Sequence, residues 1–117
     1  MSAKIIDGKG IAERLREEVK EQVSQRVTKG LPAPGLATVI VGDNPASKVY
    51  VRMKHKACQE AGILSVGHEL SGDASQEEVE ALVKKLNKDP SIHGILVQLP
   101  LPAGLDEEQV LNSIDLY

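Results

Sequence analysis

The sequence predicts an α/β fold: a three-layer domain with a mainly parallel sheet and helices on both faces. Two observations carry this. Apolar runs of strand length, at 36–41, 63–70 and 92–97, alternate with longer amphipathic stretches. Those stretches are bounded by residues that start and stop helices. In such a sheet the crossovers are right-handed, and ligands bind beyond the carboxyl ends of the strands. Here those ends are Gly42-Asp43-Asn44 and Gln98-Leu99-Pro100.

Residues 10–29 form the first helix. Ile11, Leu15, Val19, Val23 and Val27 recur every four residues with charges between them, and Gly30 stands where a C-terminal cap belongs. A Pro/Gly loop, 31–35, leads to the strand 36–41, which Gly42-Asp43-Asn44-Pro45 breaks. The second helix spans about 45–61 and stops at Gly62; the strand 63–70 and a turn at 71–74 follow. Ser75 and Glu78 have capping-box spacing, and Val79, Leu82, Val83 and Leu86 give the third helix its apolar stripe. Asp89-Pro90 ends that helix, and the strand 92–97 leads to the exit loop Gln98-Leu99-Pro100-Leu101-Pro102. Two X-Pro bonds border the strand end, which makes this loop the place to expect a cis-proline. Asp106, with Gln109 at the capping-box position, starts a last short helix reaching about Ile114.

Composition bounds the function classes. A length of 117 residues suits one domain, and 41% apolar residues suffice for a core. The net charge is −3 with no basic footprint, which argues against a nucleic-acid partner. No apolar run is long enough to span a bilayer, and Met1-Ser2-Ala3-Lys4 does not open a signal peptide. The single cysteine, Cys58, fits a reducing compartment, and the cytoplasm is the expected location. There is no Trp and no Phe, and Tyr117 is the last residue, so Tyr50 is the only aromatic ring expected inside the domain.

The second helix carries most of the chemical information. At 100° per residue, Lys48, Arg52, His55, Lys56 and Gln59 share a solvent arc. The opposite arc takes Val49, Val51, Met53, Ala57, Cys58 and Ala61, together with Ser47, Tyr50 and Lys54. A lysine on a core-facing stripe either snorkels to solvent or lines a pocket, where desolvation disfavours the charged form and suits the group to proton transfer. Tyr50, one turn earlier, is an ordinary core aromatic or a ring facing the same ligand. Ser47 is a helix-start residue or a site neighbour. Gln98 interrupts the apolar run Ile95-Leu96-Val97 and Leu99. It is a polar residue where the strand surfaces, or a neutral hydrogen-bonding partner in the site, able to serve either protonation state of the lysine. His55, His68 and His93 lack metal-ligand spacing, and no metal is expected. There is no G-x-G-x-x-G and no P-loop, so no cofactor-binding residue is expected in the chain. Cys58 reads as a small buried residue rather than a nucleophile.

Two segments go further. Val41-Gly42-Asp43-Asn44-Pro45-Ala46-Ser47 followed by Val49-Tyr50-Val51 and Lys54 resembles the first signature of the bifunctional methylenetetrahydrofolate dehydrogenase/cyclohydrolases. Gly94-Ile95-Leu96-Val97-Gln98-Leu99-Pro100-Leu101-Pro102 resembles the second, and Ile5-Ile6-Asp7-Gly8-Lys9 is similar to that family's opening. The resemblance implies NADP-dependent oxidation of 5,10-methylenetetrahydrofolate to the methenyl form and its hydrolysis to 10-formyltetrahydrofolate. It implies that Lys54 is the general acid/base, that Gln98 positions it, and that Tyr50 stacks on the folate ring system. Ser47 takes a lesser catalytic part, and Leu99 and Pro100 join the substrate-binding residues. It further implies a cytoplasmic homodimer working in one-carbon metabolism and purine biosynthesis, with a small folate as partner.

The resemblance also marks a departure. Members of that family continue, just past the position of Tyr117, into an Asp-x-Asp-Gly segment. An NADP-binding Rossmann-type domain and a returning C-terminal helix follow it. Residues 1–117 therefore read as a folate-binding catalytic domain, expected to bind no NADP and transfer no hydride by itself. The alternatives are a truncated, non-catalytic pterin-binding module and an interaction domain whose lysine only snorkels.

Overall fold

The computed structural model describes residue 5 and residues 7–115. The opening Met1-Ser2-Ala3-Lys4, Ile6 of the opening motif, and Tyr117 lie outside the described residues. Among the described residues, four helices and three strands alternate: α1 (Gly8–Thr28), β1 (Gly35–Val41), α2 (Pro45–Ala61), β2 (Leu64–Leu70), α3 (Gln76–Asn87), β3 (Gly94–Val97) and α4 (Glu107–Asn112). The sheet runs β2-β1-β3 and both pairings are parallel, as the alternation predicts.

The caps are local sequence physics. Asn44 Oδ1 accepts from the Ser47 N–H at the start of α2, and Pro45 fills a first-turn position whose N–H has no helical partner. Gly62 ends α2 with φ +80°, a left-handed conformation that suits glycine. Ser75 Oγ accepts from Glu78 N–H, and Asp106 Oδ1 from Gln109 N–H, so both predicted capping positions start their helices. α4 stops at Asn112, short of Ile114.

Ala37, Val39 and Val41 of β1 point to one face and form the main core with Val79, Val83 and Leu86 of α3, Val97 of β3 and Val110 of α4. Val39, Val79, Val83 and Val110 are fully buried. Each such burial contributes roughly 1.5–3 kcal/mol before entropy is counted. Thr38 and Ile40 have the opposite parity and are also buried, on the side that meets α2. α2 follows β1 out to β2, while α3 carries the chain back across β1 to β3. β1 is therefore where the direction of winding reverses, and the crevice at its carboxyl end is the expected ligand position for an open α/β sheet.

Three expectations are corrected. The four-residue recurrence on α1 predicts a buried stripe, yet only Val23 is buried, against Gly62; Ile11, Leu15, Val19 and Val27 stay at least two-fifths exposed. α2 buries a narrower arc than its hydrophobicity predicts. Ser47, Cys58 and Ala61 define it, while Val49 is 49% and Met53 62% exposed. Those two lie more than a quarter-turn from the buried line at ~100° per residue. Tyr50 is 55% exposed, so the domain's only central ring is not a core residue.

Candidate active site at the head of the sheet

Lys54 and Gln98 meet although 44 residues separate them. α2 brings Lys54, in line with Ser47 and Cys58 on its inward face, and the residue is half-buried. β3 brings Gln98, whose backbone N–H extends the ladder by donating to Val39 O at 2.8 Å. The ammonium donates to Gln98 Oε1 at 2.6 Å, a short charge-assisted bond. Among the described residues the only ion pair is Lys48 with Asp43, at 3.1 Å. Lys54 is thus held by a neutral acceptor and by no carboxylate.

The carbonyl oxygen of Leu99 organises the other side. Gln98 Nε2 donates to it at 3.1 Å, and Ser47 Oγ at a longer 3.4 Å. The amide thus turns its oxygen to Lys54 and one of its two N–H groups to the Leu99 carbonyl, and its second N–H stays available as a donor. Ser47, 2% exposed, ties the first turn of α2 to the exit loop. The Leu99–Pro100 peptide is cis, within the loop where the prolines suggest it.

The structure therefore brings Lys54, Gln98, Ser47 and Leu99 together. Tyr50 lies one turn from Lys54 on the exposed flank of the same helix, and Pro100 lines the neighbouring cleft. That cleft, about 300 Å³, has Gly42, Asp43 and Asn44 on one wall and Leu101 and Pro102 on the other. It sits at the two strand ends picked out by the sequence. A larger groove of about 490 Å³ between α1 and α2 is lined by Glu13, Arg16, Glu17, Lys20 and Glu60. Its charges are mixed and surface-borne, and it lies apart from the lysine–glutamine pair.

Sequence reasoning misses the Leu99 carbonyl, because a backbone acceptor leaves no mark in side-chain identities. The capping role of Asn44 is legible in the Asn-Pro pair, but its bearing on Ser47 is not. Burial pushes the Cys58 thiol above its ordinary value, and the neighbouring Ser65 hydroxyl opposes this. That Ser65 hydroxyl meets no acceptor or donor at true hydrogen-bond geometry, so its opposition is weak. Among the described residues, no three His, Cys, Asp or Glu side chains converge as a metal site would require, and no helix is long and apolar enough to cross a membrane.

A half-buried lysine held by a neutral amide thus lies at the winding reversal of a parallel sheet, where open α/β sheets take their ligands. Residues 6–117 match the family model of the tetrahydrofolate dehydrogenase/cyclohydrolase catalytic domain, and the chain belongs to that family. It is 56% identical over 116 residues to the bifunctional protein FolD of Moorella thermoacetica, across 99% of this chain and 41% of that protein. Among solved structures, the bifunctional FolD dehydrogenase/cyclohydrolase of Campylobacter jejuni matches with a TM-score of 0.89 and 46% identity, over 93% of this chain and 38% of the other. The Trypanosoma brucei enzyme, complexed with NADP cofactor and inhibitor, matches with a TM-score of 0.89 and 36% identity, over 99% of this chain and 40% of the other. The chain spans about two-fifths of the length of the relatives it matches.

Proposed function

We propose that residues 1–117 are the folate-binding catalytic domain of a bifunctional enzyme of one-carbon metabolism. That enzyme oxidises 5,10-methylenetetrahydrofolate with NADP and hydrolyses the methenyl product to 10-formyltetrahydrofolate. The observation that carries this is the 2.6 Å bond between Lys54 and Gln98 at the head of the sheet. Support comes from the family match and from FolD relatives named as bifunctional.

Each of the four helix N-termini among the described residues carries a side-chain cap, and α3 and α4 add acidic first turns that disfavour a phosphate. The NADP site, and hydride transfer with it, are proposed for the part of the relatives' length that this chain does not span. By the same family likeness the complete protein works as a cytoplasmic homodimer that supports purine biosynthesis, with a small folate as its partner and neither nucleic acid nor membrane.

Hydrolysis of the methenyl cation can be written on this chain's own groups. Water attacks the amidinium carbon, and the Lys54 amine takes a proton from it. The resulting ammonium returns that proton to the ring nitrogen as the carbon–nitrogen bond breaks, and the adduct's hydroxyl releases its own proton to solvent as its carbonyl forms, leaving the formyl group on the other nitrogen. One group performs both transfers. Gln98 holds Lys54 in line without adding a charge that would trap the ammonium. Tyr50, at the exposed edge, offers its ring face to the planar substrate, while Leu99 and Pro100 close the opposite edge.

The test is an NMR titration of the chain with a stable folate analogue. Shifts confined to Tyr50, Lys54, Gln98 and Leu99 are expected. Their absence at millimolar analogue would sink the folate reading and favour a snorkelling lysine on an interaction domain.

A further inference from the structure

His93 closes the foot of the sheet in an irregular way. The β1–β3 register pairs Leu36 with Gly94 through Val39 with Val97. Continued one step downward, it sets Gly35 opposite His93. A regular parallel ladder would join Gly35 to the neighbours of its opposite, Ile92 and Gly94. Instead both bonds go to His93 itself: its N–H donates to Gly35 O at 2.7 Å, and its Nδ1 accepts from Gly35 N–H at 2.9 Å. An imidazole nitrogen thus stands where a strand carbonyl would be. The approach is so close that a Cβ on Gly35 would run into the Ser91 carbonyl.

We propose that His93 is a positioning residue, a side-chain latch that fixes the register of β3 on β1 and so sets Gln98 beneath Lys54. β3 is only four residues long. A slip of one residue would move its head by about 3.3 Å and turn every side chain to the other face. At its head, Gln98 N–H bonds Val39 O; at its foot, His93 supplies the matching constraint. The latch requires Nδ1 to be unprotonated, which specifies the Nε2–H tautomer. Protonation replaces the acceptor with a second donor facing the Gly35 N–H, and the foot is released.

The groups facing the ring bear on this. His93 shares a cleft of about 270 Å³ with Leu86 and Asn87 of α3 and with Ile95, Ile114 and Asp115. Among the described residues, Asp115 is the only other ionisable group lining it. The Asp89 carboxylate on the preceding turn is held by the Ser91 N–H and hydroxyl. β1 contributes only the Gly35 backbone.

The consequence for Gln98 rests on the folate-site reading, but the latch itself does not. Amide exchange and histidine nitrogen shifts, recorded by NMR on the whole chain, test it without substrate. The wild type should show the Nε2–H tautomer, and protection of the Gly35 amide should fall about tenfold once acid has protonated the imidazole, the worth of one hydrogen bond. His93→Asn places Oδ1 where Nδ1 was and does not titrate, so protection should be retained and flat with pH. His93→Ala should lose protection with or without acid and shift the Gln98 side-chain amide. Should His93→Ala fail to fold, the contrast in pH slope between wild type and His93→Asn still decides. An Nδ1–H tautomer, or an equal pH slope in His93→Asn, would overturn the latch. A Gly35 response with an unmoved Gln98 amide would overturn the positioning role. A failed folate titration would leave all of these readouts standing.

Discussion

At the scale of single residues, the site rests on one cation held by one neutral amide. Lys54→Met keeps the apolar stem and removes the proton carrier, so cyclohydrolase turnover of the complete enzyme should fall at least ~100-fold, the usual worth of a general acid/base. The melting curve should not move. Lys56→Met should leave the rate near wild type, because that side chain lies on the exposed arc. Steady-state rates of the two variants check this, and an inactive Lys56→Met beside an active Lys54→Met would reverse the assignment. Gln98→Glu would place a carboxylate at the 2.6 Å position. Ammonium would then persist to higher pH, and the pH–rate profile should move alkaline. Lys54 and Gln98 are legible in the sequence because each is a polar residue in an apolar pattern. For Tyr50 the sequence leaves a core ring and a ligand-facing ring open, and its angular position on α2, at the rim, removes the first. His93 carries no signal beyond a failed metal spacing, since its bond to Gly35 depends on backbone approach that no pattern encodes.

Elements are easier to read than their faces. The strands and helices of the sequence reappear within a few residues, because β-branched runs and caps are local signals. β3 is shorter than expected, and the reason lies in Ile92 and His93, which leave the regular ladder at its foot. Gly35 should therefore tolerate no side chain. Gly35→Ala would force the chain away from the Ser91 carbonyl, and a drop in melting temperature of several degrees is expected by calorimetry. On α2, burial raises the Cys58 thiol above its ordinary value of 9.0. A raised acid favours the folded state while protonated, so this contribution is full below about pH 9 and lost as pH rises through the folded-state value. Urea midpoints should accordingly fall above pH 9 more in wild type than in Cys58→Ala. At neutral pH, alkylation of native Cys58 should be slow beside the denatured chain.

For the whole molecule, shape is the informative quantity. The radius of gyration is 16.8 Å, against about 13–14 Å for a compact domain of this length. Principal extents of 49 × 47 × 23 Å describe a slab. On α1 only Val23 of the apolar stripe is buried, so most of that stripe faces outward. The isolated chain should self-associate or melt broadly, and Leu15→Lys with Val19→Glu should reduce association in sedimentation runs without lowering stability. A wild-type monomer with a sharp melt would contradict this. The strand order β2-β1-β3 carries a further consequence, for the chain as it leaves the ribosome. β1 is uncharged along its length, Gly35–Val41, and its partner β3 is made more than fifty residues later. Until β3 pairs with it, this uncharged strand keeps an unpaired edge, a geometry prone to joining other chains. β3 both completes the lysine's hydrogen bond and covers that edge of β1. The step that brings Gln98 to Lys54 is thus also the step that covers β1 on both sides, and nascent chains stopped before residue 92 should engage chaperones more than those that include Val97.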